Sequence, residues 1–214
     1  MNNKIIIGFA GRKRSGKTMM AKHLEEKYDA TIVTIAQSLK ELCANLLDLD
    51  VEKLNFYKDD VLLNYSPIEH LDIDKMIADL TYELGEVYER NIRQDIEQGV
   101  LRHKFDTVRD MLQFIGTDII RKYHDNWHVN KLIENINKSN SRIVVIDDVR
   151  FPNEELAIRK LGGNVFYMIR PCLNEISNHE SETALKWFRF RDNQIIVNIF
   201  SKEFLFTKFD FVVY

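Results

Sequence analysis

Cysteine, proline and glycine are all scarce: two, three and eight among 214 residues. Cys43 and Cys172 make neither a disulfide framework nor a zinc site, so core packing in a reducing compartment is expected for both. No Gly/Ser-rich or Pro-rich stretch marks a linker, and no internal repeat is visible. No apolar run is long enough to span a bilayer, and no signal peptide stands after Met1. The expectation is a cytoplasmic protein with no membrane partner. A strong charge of one sign is also missing. The net charge is −3, so no global field recruits nucleic acid. Finally, there is no Ser/His/Asp or paired-carboxylate constellation, and His179 has no second His or Cys at ligand spacing. What remains is 45% hydrophobic, enough to exclude disorder and to fill one sizeable core.

Against that background residues 4–18, KIIIGFAGRKRSGKT, stand out. The run Ile5-Ile6-Ile7 reads as a buried strand. Gly11-Arg12-Lys13-Arg14-Ser15-Gly16-Lys17-Thr18 fits G-x-x-x-x-G-K-[ST], and a helical pattern with Met19, Met20 and Leu24 follows. Glycines let backbone N–H groups turn inward around a phosphate chain, and the helix start adds its positive dipole end. Lys17 can reach the outer phosphates, and the Thr18 hydroxyl can hold Mg²⁺. From Met1 to Leu24 there are six Lys/Arg and no Asp/Glu, which suits an anionic ligand; a basic patch for nucleic acid would look the same, but the loop motif explains it better. The competing reading is a Gly-rich turn that binds nothing.

A second strand is expected at 30–36. With the first it forms a β–α–β unit, which implies parallel strands and an α/β fold. Lys40 follows the carboxyl end of that strand, where it faces a second anion or is a surface lysine. A helix is read at 39–49. Residues 48–106 then carry 15 Asp/Glu against 7 Lys/Arg. Ile77, Leu80, Leu84, Val87, Tyr88, Ile92 and Ile96 give residues 74–98 a helical stripe, ended by Gly99. Residues 107–123 read as a helix capped at Thr107, with Gly116 mid-pattern permitting close approach of another group. Arg109, Gln113, Asp118 and Arg121 share a neighbouring surface of it. They are either a solvated polar face or groups for a phosphate and a base edge. The run 142–148, RIVVIDD, suits a buried parallel strand. Asp147 or Asp148 at its end can organise Mg²⁺ or cap a helix. Residues 152–161 form a helix stopped by Gly162-Gly163, 164–169 a strand, and 195–199 a last strand. Residues 170–193 are polar and suit a lid. The Phe-rich residues 201–214 pack as a terminal helix or partly a strand, with room for a dimer contact.

Taken together, GRKRSGKT at 11–18, the turn at 36–40, TVRDMLQFIGTDIIR at 107–121, Trp127, DVRFPNE at 148–154 and HESE at 179–182 resemble the bacteriophage deoxynucleoside monophosphate kinase family. The combination of Q-x-x-G-T-D-x-x-R with D-V-R-F-P-N-E is specific. The chain departs from it at Thr107-Val108-Arg109, where the family often has Thr-Pro-Arg. The resemblance implies a P-loop nucleoside-monophosphate-kinase-like α/β fold. Its parts are a parallel five-stranded sheet with helices on both faces in a single domain over 1–214. The acidic, helically patterned segment at 45–105 is read from its own residues as an acceptor-side helical insertion over the nucleotide cleft, and it has no clear match in the family. It also suggests a homodimer, in a host cytoplasm if phage-encoded.

The implied reaction moves the ATP γ-phosphoryl group onto a deoxynucleoside 5′-monophosphate, with Mg²⁺. Lys17 and the loop 11–18 hold donor phosphates. Arg109, Gln113, Asp118, Arg121 and Trp127 form the acceptor site by resemblance, with Gln113 reading the base edge and Trp127 packing on base or sugar. Arg150 bridges donor and acceptor phosphates, and Arg170 serves the transferring group or donor base. The alternatives are a P-loop kinase of another small phosphorylated metabolite, such as dephospho-coenzyme A, and a nucleotide-dependent switch.

Overall fold

The computed structural model describes residues 4–57, 72–102, 107–169, 194–197 and 204–206. Contacts divide the chain into two units, Met1–Ile35 with Val129–Tyr214, and Ala36–His128.

The first unit is built on a sheet. Its strands are β1 (Ile5–Ala10), β2 (Thr31–Val33), β3 (Ile143–Val149), β4 (Asn164–Ile169), β5 (Gln194–Val197) and β6 (Phe204–Phe206), in the order β2-β3-β1-β4-β5-β6. The four strands β2-β3-β1-β4 form a parallel core. β5 extends it in parallel, and β6 pairs antiparallel at the edge. The expected five-stranded parallel sheet is therefore corrected to this order. The Phe-rich tail supplies an antiparallel strand after the one expected to be last, which only its pairing with β5 could reveal.

Continuous apolar runs form the central strands because both faces are covered. Val144, Val145 and Ile146 are fully buried. On one face Ile7, Phe9, Val145 and Phe166 pack with Met20 and Ala21 of helix α1 (Lys17–Tyr28). On the other, Ile6, Val144, Ile146 and Val165 pack with Leu132 and Ile136 of α7 (Trp127–Lys138) and Ile158 of α8 (Pro152–Lys160). β2 is three residues long rather than the seven expected. Past Val33 the chain leaves the ladder, because the Ile35 amide donates to the Asp148 carboxylate at 2.7 Å instead of to a strand.

The second unit is helical. It contains α2 (Gln37–Leu46), α3 (Val51–Tyr57), α4 (Ile73–Leu84), a 3₁₀ turn at Glu86–Tyr88, α5 (Glu89–Arg102) and α6 (Val108–Gln113). A π-helical segment, Phe114–Arg121, continues α6. The single helix expected over 74–98 is broken at Gly85, whose φ is 110°. Gly99, expected to end it, lies inside α5 and is buried. Leu54, Met76, Ile77, Leu80, Ile92, Ile96, Met111, Ile115 and Ile119 form the core of this unit. Cys43 is buried there too, and burial pushes its thiol pKa up, leaving it unreactive. Among the described residues no helix is long and apolar enough to cross a membrane.

Candidate functional site

The loop between β1 and α1 leaves the carboxyl end of a central strand, where ligands sit in parallel α/β sheets. Gly11 has φ 138°, and a Cβ on it would lie 2.6 Å from the Met168 carbonyl oxygen and 2.9 Å from Ser15 Oγ. No side chain fits there. Gly16, with φ 98°, is the N-cap of α1. Arg14 adopts φ 64° without being glycine, a conformation that costs about 1 kcal/mol and is held by the loop around it.

Inside this loop Ser15 is 1% exposed, and its hydroxyl has no hydrogen-bond partner among the described residues. A buried hydroxyl left unsatisfied is unfavourable by about 1–3 kcal/mol, which an incoming acceptor would relieve. The Lys17 ammonium folds back over the loop and donates to the carbonyls of Gly11 at 2.7 Å and Arg12 at 2.8 Å. Both are groups that phosphate oxygens could replace.

At the foot of the loop the Thr18 hydroxyl donates to Asp147 Oδ2 at 2.8 Å. Thr34 Oγ1 donates to the other oxygen of the same carboxylate at 3.3 Å. Asp147 is 9% exposed, while Asp148 is occupied by the Ile35 amide. The two neighbouring acids thus have separate jobs, because successive strand residues point to opposite faces. Asp147 meets the loop and Asp148 braces the end of β2. Among the described residues no three His, Cys, Asp or Glu side chains cluster. The Asp147 carboxylate and the Thr18 hydroxyl are hard oxygen donors of the kind a magnesium ion takes together with substrate phosphates.

Arg150 follows β3. Its backbone amide and that of Phe151 donate to Glu154 Oε2 at 2.8 and 3.0 Å. Glu154 is 1% exposed. A carboxylate three residues into α8, with Pro152 opening the helix, fixes the entry angle and so the position of Arg150. Sequence reasoning passed over Glu154, although Pro followed by Glu two residues later signals such a helix start. It also passed over Thr34, for which no sequence signal exists.

In the helical unit, Thr107 Oγ1 accepts from the Asp110 amide at 3.2 Å, and the Asp110 carboxylate accepts from the Thr107 amide at 2.9 Å. This capping box starts α6 where expected. Arg109 and Gln113 are half-buried and Asp118 is exposed. The Arg121 side chain is 10% exposed, with Nη1 3.9 Å from Asp125 Oδ1. Lys40 is half-buried on α2. Trp127 is 4% exposed, and its indole N–H donates to Glu83 Oε2 at 3.0 Å. The expected close approach at Gly116 is present: a Cβ there would lie 2.6 Å from Leu39 Cδ2. His128, also passed over, is 4% exposed with Nε2 3.2 Å from the Gly116 carbonyl oxygen. Arg170, the lid expected at 170–193 and HESE at 179–182 lie outside the described residues.

Comparison with known proteins bears on this arrangement. The profile of the family described as "Deoxynucleotide monophosphate kinase" matches residues 68–208, about two thirds of the chain. A protein of Acanthamoeba polyphaga mimivirus, named "Putative deoxynucleotide monophosphate kinase", is 27% identical over 216 aligned residues, covering 94% of this chain and 92% of its own. A solved structure, "Crystal structure of TT1252 from Thermus thermophilus", aligns over 91% of this chain and 88% of its own. Its TM-score is 0.39 and its identity 14%, too weak a likeness to carry an argument.

Proposed function

This chain belongs to the deoxynucleotide monophosphate kinase family, and from that premise we propose that it transfers the γ-phosphoryl group of ATP to the 5′-phosphate of a deoxynucleoside monophosphate. Kinase activity toward deoxynucleotide monophosphates is the property of the family. The donor, the metal and the residue roles are our assignment. The observation that carries it is the loop itself: an unsatisfied buried Ser15 hydroxyl, a folded-back Lys17, and Thr18 bonded to Asp147.

In this reading an acceptor phosphate oxygen attacks the γ-phosphorus. The bond to the β,γ-bridging oxygen breaks, and ADP leaves with its electron pair. The acceptor oxygen is already ionised near neutral pH, so no general base is needed. Positioning and charge neutralisation supply the catalysis. Lys17 exchanges the Gly11 and Arg12 carbonyls for phosphate oxygens, and the Ser15 hydroxyl and loop amides donate to the donor phosphates. Thr18 and Asp147 fit a Mg²⁺ ion, which when bound would neutralise charge on the β- and γ-phosphates. Arg150, steadied by Glu154, serves the transferring group, with Arg170 as a further candidate. Arg109 and Arg121 hold the acceptor phosphate, Gln113 reads the base edge, and Lys40 and Asp118 complete the set. Trp127, buried and tied to Glu83, holds the wall of the acceptor site rather than offering a stacking face. The fold is assigned to the P-loop nucleoside monophosphate kinase type, with 45–105 as its acceptor-side insertion and 170–193 as its lid.

The test is a coupled ADP-release assay with ATP, Mg²⁺ and each dNMP and NMP in turn. A dNMP should stimulate ADP release, and Lys17→Ala should lower kcat by about a hundredfold or more. An unchanged Lys17→Ala rate, or no stimulation by any dNMP, would overturn the reading.

A further inference from the structure

We propose that His128 is a positioning residue for the acceptor-side Arg121, acting through the Gly116 carbonyl at the π-helical turn. The inference rests on the acceptor role given to Arg121 above.

Residues Phe114–Arg121 are wound with i→i+5 bonds. Such turns are rare and need outside support. Two contacts supply it here. Gly116 leaves room for Leu39, whose Cδ2 would crowd any Cβ at 2.6 Å. The His128 imidazole meets the Gly116 carbonyl oxygen at 3.2 Å. A carbonyl only accepts, so Nε2 carries the proton and donates. Burial, and then the positive charge of Arg121, hold the His128 pKa down at about 4, so the ring is neutral at physiological pH. A neutral ring donates through Nε2 without placing a second positive charge beside the guanidinium.

The coupling to Arg121 follows from the winding. With i→i+5 bonding the Gly116 carbonyl is also the partner of the Arg121 amide, and an sp² oxygen has two lone pairs for the two donors. The imidazole therefore grips the atom to which the Arg121 backbone is tied. The ring itself cannot wander. It meets the Trp127 ring edge-on at 5.0 Å and 88°, and Trp127 is anchored on Glu83. An apolar ring at 128 would fill the space but leave the π turn without its donor. Arg121, with its side chain 10% exposed, would lose its set position while the P-loop kept its own.

The experiment uses the full chain in the ADP-release assay with the best dNMP. His128→Phe is expected to raise the KM for the dNMP about tenfold, with the KM for ATP within about twofold. His128→Gln restores an N–H donor and should recover most of the loss. Equal shifts in both KM values, no shift, or a Gln variant as impaired as Phe would overturn the proposal. If His128→Phe does not fold, ¹⁵N NMR of the wild-type imidazole decides. An Nε2–H tautomer whose resonance moves with saturating dNMP and not with ATP supports the proposal. An Nδ1–H tautomer, or a resonance indifferent to dNMP, refutes it. A wild type that releases no ADP with any dNMP removes the kinase reading and this proposal together. An active wild type with unresponsive variants removes this proposal alone.

Discussion

Replacing Gly99 by alanine sets two effects against each other, and their magnitudes decide the sign. Alanine is favoured over glycine inside a helix by about 1 kcal/mol, and Gly99 sits inside Glu89–Arg102. On propensity alone the variant should be more stable. Yet a Cβ at 99 would lie 2.2 Å from Phe114 Cζ, 2.5 Å from Cε2 and 3.2 Å from Cε1. Carbon pairs prefer about 3.5–4.0 Å, so the ring would have to retreat by roughly an ångström or more. Phe114 is only 6% exposed and opens the π-helical segment, so it has little room to do so. Overpacking of this kind costs about 1–3 kcal/mol, and the depth of this overlap belongs at the upper end. The net effect is a loss of about 2 kcal/mol, or a Tm lower by about 4–8 °C for a chain of this size. Thermal unfolding followed by circular dichroism at 222 nm measures it. A Phe114→Leu background should recover part of the loss, making the double variant less unstable than the sum of the singles. A Gly99→Ala Tm equal to or above wild type, or strict additivity, would refute the packing argument.

Three further outcomes are expected. Asp147→Asn should lower kcat about a hundredfold and raise the Mg²⁺ needed for half-maximal rate, whereas Asp148→Ala should lower stability by about 1–2 kcal/mol through the freed Ile35 amide without changing the Mg²⁺ requirement; a metal titration of both variants separates the two acids. His128 has a folded pKa of about 4 against its ordinary 6.5, so the unfolded chain binds more protons between those values. Its contribution is therefore full above pH 6.5 and is lost as pH falls towards 4, by about 3 kcal/mol in all. Urea midpoints at pH 7, 5.5 and 4.5 should fall less in His128→Phe than in wild type, and parallel curves would contradict the assignment. Thr107→Ala removes half of the capping box and should cost about 1 kcal/mol, seen as a Tm lower by about 2–4 °C.

The parallel strands were legible because a strand buried on both faces must be apolar throughout, and few other structures ask for Val144-Val145-Ile146 in a row. The strand at 164–169 was read residue for residue. β2 was over-extended because Ile35 is as apolar as a strand residue. Only the Asp148 carboxylate, more than a hundred residues away, draws its amide off the ladder. The capping box at Thr107 is local, and local chemistry is what a sequence records. The π winding after Gln113 is not local. Met111, Leu112, Ile115, Ile119 and Ile120 satisfy a helical stripe at either pitch. Leu39 and His128, the two side chains that meet the turn at Gly116, reach it from other helices.

Glycine makes the same point from the opposite side. A missing side chain announces that something is special, never which of two things it is. At Gly85 it is the dihedral: φ is 110°, and a Cβ would meet nothing within 4 Å. At Gly99 it is the space: the backbone is ordinary helix and a phenyl ring fills the place of the side chain. The pattern over 74–98 ran through the glycine that stops the helix and was made to stop at the one that does not. Propensity scales treat the two alike, because they average over surroundings. At Gly11 dihedral and space demand glycine at once, and there the motif fixes the neighbours as well as the glycine.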